Sequence, residues 1–138
     1  TLFPYTTLFR SNPLSLAAGI ATLKSLRDDP PYDYMEKLGV IFDKTVAELL
    51  PRYAAAIKRV GSLIWLYTGD KPAPRRTDLI EDAAVKRFND IYWKLLDAGF
   101  YLPPSAYEVL FLSKAHSMDE IEALVRTVAA ALKEKDGN

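Results

Sequence analysis

Two runs of β-branched and aromatic residues, 57–60 and 63–68, are separated only by Gly61-Ser62. Two residues leave no room for a crossover, so the runs must lie antiparallel in a tight sheet. Gly61 marks either a bulge or a tight connection between them. Any helix in the chain then has to bury its apolar stripe against that small sheet or against another helix.

Four helices are predicted around it. Asn12-Pro13 is a helix start, because Asn caps orphan amides and Pro suits the first helical position. Leu14, Ala17, Ala18, Ala21 and Leu26 follow at near-helical spacing until Asp28-Asp29-Pro30-Pro31 stops the run. The small residues Ala17, Ala18, Gly19 and Ala21 would let this helix approach another backbone closely. A second helix starts near Tyr32, with Met35, Leu38, Phe42, Val46 and Leu49 spaced by three and four, and Pro51 bends or ends it. After the loop-forming stretch 69–76, a third helix is expected over 79–98. It carries Ala84, Phe88, Ile91, Tyr92 and Leu95 on one side and Gly99 just past its end.

Phe100-Tyr101-Leu102 reads as a short strand ended by Pro103-Pro104-Ser105, and 109–112 as another short strand or extended turn. The last helix has the clearest signal. Ser117-Met118-Asp119-Glu120 is a capping box, followed by the stripe Ile121, Leu124, Val125, Val128 and Leu132. Burying those five side chains contributes on the order of 10 kcal/mol before entropy is counted. The order ααββαββα is an α+β fold, a small antiparallel sheet packed with helices.

Composition narrows the function classes. The 138 residues are 49% hydrophobic, with 18 Lys+Arg against 18 Asp+Glu and no cysteine. That length fits one domain with its own core. A net charge of zero argues against a nucleic-acid module, which needs a basic face. The lack of cysteine excludes disulfides, thiol catalysis and Cys-ligated zinc. The longest apolar runs, such as 63–67, are far short of the roughly 20 residues of a membrane span. There is no internal repeat or low-complexity tract.

Residues 1–11 do not belong with the rest. Thr1-Leu-Phe-Pro-Tyr-Thr-Thr-Leu-Phe-Arg-Ser11 carries no helical period, no clean alternation and no acidic residue. Read plainly, it is an arm with one short strand over 6–9. Residues 2–11 also resemble the translation of a sequencing adapter, CTC TTT CCC TAC ACG ACG CTC TTC CGA TCT, over ten consecutive codons, which fits better. The expectation is therefore a non-native segment at 1–11 and natural sequence from near Asn12, the carboxyl end of a larger protein.

Among residues able to carry chemistry, there is no Gly-rich phosphate loop, dinucleotide fingerprint or metal-spaced cluster. His116 sits just before the Ser117 cap and is expected as a loop histidine satisfied by backbone. Arg75-Arg76 could grip a carboxylate or phosphate, although in a proline-rich loop such a pair is ordinarily solvated. Ser113-Lys114 resembles a Schiff-base lysine setting, but nothing nearby supplies the desolvation it needs, so a surface lysine is expected. Glu108 follows Pro103-Pro104-Ser105-Ala106-Tyr107, read as a rigid extended stretch. Its carboxylate either accepts hydrogen bonds from an amine substrate or is an exposed acid on an edge strand.

Three segments resemble one family. Asn12-Pro-Leu-Ser-Leu-Ala-Ala-Gly-Ile-Ala is similar to the GNP-x-x-x-A-A-G helix start of class III, fold-type-I pyridoxal-phosphate enzymes, and Val60-Gly61-Ser62-Leu63 to the strand pair opening their small domain. Gly99-Phe-Tyr-Leu-Pro-Pro-Ser-Ala-Tyr-Glu108, continuing through Phe111-Leu-Ser-Lys-Ala-His-Ser-Met-Asp-Glu-Ile121, resembles the end of the glutamate-1-semialdehyde 2,1-aminomutases. The likeness covers residues 12–133. It implies a cytoplasmic, homodimeric enzyme that moves an amino group between adjacent carbons of an amino aldehyde, giving 5-aminolevulinate for tetrapyrrole synthesis. Pyridoxal 5'-phosphate serves as its electron sink.

The resemblance also implies that the lysine forming the cofactor aldimine, the aspartate under the pyridine nitrogen and the ring-stacking aromatic lie upstream of Asn12, in a missing large domain. No catalytic or cofactor-binding residue is therefore expected in this chain, and it is expected to be inactive alone. Thr7 and Leu8 occupy the positions of the family's phosphate-gripping Gly-Thr pair, so that contact is lost. Glu108 matches a family position at the active-site mouth, facing the substrate amino groups. The family usually continues Ala-Gly where this chain has Val109-Leu110, and the larger side chains could narrow that mouth. Two alternatives stay open: an aminomutase-like class III aminotransferase using an external amine donor, and a non-catalytic α+β binding module.

Overall fold

A computed structural model describes residues 12–133 of the chain. The expectations for residues 1–11, including Thr7 and Leu8, fall outside the described residues. The chain divides into two compact units, Thr1–Asp33 and Tyr34–Asn138.

In the first unit, α1 spans Pro13–Asp28. The Asn12 side chain accepts the Leu14 N–H at 3.0 Å and Pro13 takes the first turn, as the sequence predicts. No residue of α1 is buried, and Leu14, Leu16, Ile20 and Leu23 are all exposed.

The second unit holds the core. Helix α2 spans Tyr32–Leu49 and runs into a 3-10 turn, Leu50–Arg52, around Pro51. Strands β1 (Ala56–Val60) and β2 (Leu63–Tyr67) pair antiparallel, with Val60 opposite Leu63. Gly61, at φ 58°, takes the first position of this two-residue turn, where a left-handed backbone favours glycine. After a 3-10 turn at Thr77–Leu79 come α3 (Asp82–Asp97), β3 (Leu110–Phe111) and α4 (Met118–Lys133). The sheet order is β1-β2-β3, antiparallel throughout. This is the α+β architecture expected, with one strand fewer.

The missing strand is 100–102. The Gly99 N–H donates to the Leu96 carbonyl at 2.9 Å and the Phe100 N–H to the Leu95 carbonyl at 2.8 Å, closing α3 in a Schellman cap with Gly99 at φ 91°. The cap uses the Phe100 amide, and β2 already has a partner on each side, so the β-forming composition of 100–102 finds no ladder to join.

The stripe predicted for α1 is not buried, whereas those of α3 and α4 face inward. Ala84, Phe88, Ile91, Tyr92 and Leu95 of α3 and Ile121, Leu124, Val125, Val128 and Leu132 of α4 are buried together with Leu38 and Phe42 of α2 and Ile64 and Leu66 of β2. Val46 and Leu49 pack against this cluster half-buried.

A polar clamp joins α2 to β1. The Arg59 side chain, only 13% exposed, donates to Glu36 at 3.0 and 3.1 Å, to Asp43 at 2.8 Å and to the Gly61 carbonyl at 2.8 Å. These bonds raise the guanidinium pKa further and hold the Glu36 carboxyl below its ordinary range. The guanidinium lies over Gly39, where a Cβ would collide with it. That contact explains a mid-helix glycine at a buried position.

Gly39→Ala should therefore destabilise the protein when Arg59 is present, despite alanine's better helix propensity. In an Arg59→Ala background the same change should stabilise by about 0.5–1 kcal/mol. Urea unfolding of the four variants measures this sign reversal. Leu38→Ala should cost about 2–5 kcal/mol and Leu23→Ala less than about 0.5, by the same measurement.

Candidate functional site

The segment between α3 and β3 carries Glu108, and a turn holds it there. The chain bends at Pro104 and Ser105, then closes with the Glu108 N–H donating to the Ser105 carbonyl at 3.1 Å. The Ser105 hydroxyl accepts the Tyr107 N–H at 3.3 Å, a short serine turn. The stretch before Glu108 is thus turned, not extended as its two prolines suggested. Rigidity comes from the central strand, because the Trp65 indole N–H donates to the Ala106 carbonyl at 2.8 Å and Ala106 itself is buried.

The Glu108 side chain is exposed and makes no hydrogen bond or ion pair among the described residues. Two residues later the chain enters β3, at the edge of the sheet. Of the two larger side chains beside it, Leu110 pairs opposite Ile64 and packs on the core, so only Val109 stays outside.

The other candidates fall in separate places. His116 closes a tight turn: its Nδ1 accepts the Ser113 N–H at 2.9 Å, its N–H donates to the Ser113 carbonyl at 3.2 Å, and its carbonyl accepts the Tyr34 hydroxyl at 2.8 Å. It is the backbone-satisfied loop histidine that the sequence predicts, and the bond at Nδ1 leaves the neutral ring's proton on Nε2. Lys114, on the same turn, is exposed, as a surface lysine should be. Arg76 forms an exposed two-toothed pair with Asp78 at 2.6 and 3.0 Å, whereas Arg75 makes no ion pair or hydrogen bond among the described residues.

Clefts among the described residues of this unit include two large enough to hold a small molecule. One, of about 270 Å³, is lined by Phe100, Tyr101, Phe111, His116 and Glu120 among others. The other, of about 250 Å³, lies between Trp65, Arg75, Arg76, Tyr107 and Val109. The second was not foreseen, because its walls come from three segments distant in sequence. Neither contains a lysine, so these residues by themselves do not form a site to anchor pyridoxal phosphate covalently. Among the described residues no cluster of His, Cys, Asp and Glu is arranged to hold a metal, and no helix is long and apolar enough to cross a membrane.

At the start of α4 the capping box forms as predicted. The Ser117 N–H donates to Glu120 Oε2 at 2.7 Å, and the Glu120 N–H to the Ser117 hydroxyl at 3.2 Å. The backbone bond from Ser117, then its hydroxyl, hold the Glu120 carboxyl below its ordinary range.

No model of a known protein family matches the chain. Curated relatives do. The chain is 35% identical over 118 residues to the glutamate-1-semialdehyde 2,1-aminomutase of Clostridium beijerinckii, covering 83% of this chain and 27% of that protein. Against the same enzyme of Methylacidiphilum infernorum it is 36% identical over 124 residues, 88% of this chain and 28% of that one. The Archaeoglobus fulgidus enzyme is 32% identical over 126 residues, 90% and 30% respectively. The chain thus spans a little over a quarter of the length of these relatives. Among solved structures, an omega-transaminase from Sphaerobacter thermophilus shares the fold over 92% of this chain and 29% of its own, with a TM-score of 0.75 and 24% identity. A transaminase with PLP bound shares it over 90% and 28%, with a TM-score of 0.62 and 23% identity. The family resemblance and the α+β fold read from the sequence are both borne out.

Since Glu120 ionises more easily folded than unfolded, its contribution is full above the usual Glu range and disappears as pH falls through its lowered folded-state value. Glu36 acts with the same sign. Glu120→Gln should therefore flatten, without abolishing, the loss of stability between about pH 6 and pH 3. Denaturant midpoints across that range check it.

Proposed function

We propose that this chain, related over most of its length to the glutamate-1-semialdehyde 2,1-aminomutases, supplies the small-domain side of a pyridoxal-phosphate-dependent active site. The whole protein then moves an amino group within glutamate 1-semialdehyde to give 5-aminolevulinate. The observation that carries this reading is the 35–36% identity across 83–88% of the chain. A cytoplasmic homodimer, and the assignment of residues 12–138 to the enzyme with 1–11 foreign to it, belong to the same proposal and rest on the resemblance alone.

In this reading Glu108 is the chain's own contribution to substrate binding. A carboxylate on a pinned turn, with no internal partner among the described residues, keeps its full capacity to accept hydrogen bonds from an ammonium group. Its backbone is ordered before substrate arrives, so little entropy is lost in fixing it. Pyridoxal phosphate, when bound in the whole protein, supplies an electron sink. A second reading is a transaminase using an external amine donor: Val109 stands beside Glu108 where the family usually has alanine, and a larger side chain there narrows the mouth and bears on which amine substrate it admits.

The chain as it stands should not form a stoichiometric, site-specific lysine adduct when incubated with pyridoxal phosphate and reduced with borohydride. Mass spectrometry that finds one would overturn the proposal. In the whole protein, Glu108→Gln should lower kcat/KM about 10–100-fold with the cofactor absorbance unchanged. Keto-acid release during turnover, in place of internal transfer, would select the external-donor reading.

A further inference from the structure

We propose that the cleft between Trp65, Arg75 and Tyr107 is a binding site for a small aromatic carboxylate, with Arg75 as its anion-binding residue. The cleft adjoins Glu108 without including it, and the proposal rests on the lining residues alone, not on the aminomutase reading.

Three observations carry it. The first is the division of labour between neighbouring arginines. Arg76 is committed to Asp78 through both its Nε and an Nη, at 3.0 and 2.6 Å. Arg75 has no such partner among the described residues, yet it lines the same cleft. The Arg76–Asp78 pair largely cancels itself, so Arg75 is the one lining side chain with an uncommitted charge, a planar fork that matches a carboxylate edge to edge, while the Glu108 carboxylate adjoins the cleft without lining it.

The second is the chemistry of the walls. Trp65 spends its only donor on the Ala106 carbonyl at 2.8 Å, so what it offers a ligand is apolar ring surface. Tyr107, Val109 and Ile80 complete walls that favour a flat apolar body. The third is size. About 250 Å³ is just below the range typical of drug-sized ligands, which suits a single ring bearing one anionic group.

The supports of the cleft are also fixed before a ligand arrives. Trp65 sits on the central strand between two partners, and its indole bond anchors the turn that carries Tyr107. A site assembled in advance loses less entropy on binding than one that must form around its ligand.

Benzoate binding to the full chain tests this, followed by the fluorescence of Trp65 in a Trp93→Phe background. Trp93, the other of the two tryptophans, is exposed and distant in sequence from the cleft. A saturable change is expected, with benzyl alcohol and acetate each binding at least about tenfold more weakly, because one lacks the charge and the other the ring. Arg75→Gln should weaken benzoate about tenfold. Asp78→Asn, which releases Arg76, should tighten it roughly threefold. Both residues are exposed, so circular dichroism of these variants should match the parent. The proposal is wrong if benzyl alcohol or acetate equals benzoate, if Arg75→Gln leaves affinity unchanged, or if no saturation appears up to about 50 mM benzoate.

Discussion

Strand β2 is the constraint on which the second unit depends. A strand presents alternate side chains to opposite faces, and β2 uses both. Ile64 and Leu66 are buried in the cluster built from α2, α3 and α4. Between them, Trp65 donates its indole N–H to the Ala106 carbonyl and holds the turn before Glu108. One five-residue strand thus nails the core and positions the candidate site. A slip of one residue in its register would exchange these roles, burying the indole and exposing the aliphatic pair. The two-residue turn at Gly61-Ser62 guards against that slip by setting Val60 opposite Leu63.

The Arg59 clamp ties the hairpin to α2 by different physics. Its partners Glu36 and Asp43 are both substantially exposed, so each pair taken singly would be a weak surface contact. The guanidinium they share is nearly covered and has a fixed place over Gly39. A glycine that would weaken an ordinary helix becomes the space in which a charged side chain lies flat. Helix propensity and close packing pull in opposite directions at this position, and the packing sets the residue.

Much of this was legible from local pattern. The stripes of α3 and α4, the Asn12 and Ser117 caps, the Gly61 turn and the backbone-bound His116 are each decided within a few residues of chain, where hydrogen-bond geometry and helical periodicity leave few options. The failures share a cause. Phe100-Tyr101-Leu102 has strand-like composition, but a Schellman cap took its amide, and a strand needs a free neighbour that composition cannot report. The stretch before Glu108 looked extended because two prolines disfavour helix. A serine side chain and a distant indole closed it into a turn instead.

By itself the sequence determined the helices, the hairpin and the kinship with aminomutases, because these depend on periodicity, on caps and on residue identity along the chain. Tertiary structure alone decided which strand is central, where Glu108 is held and that Arg75 shares a cleft with Trp65 and Tyr107. Those relations join residues separated by tens of positions. Whether such residues meet is settled by how helices and sheet fill space together, and no short window of sequence carries that information.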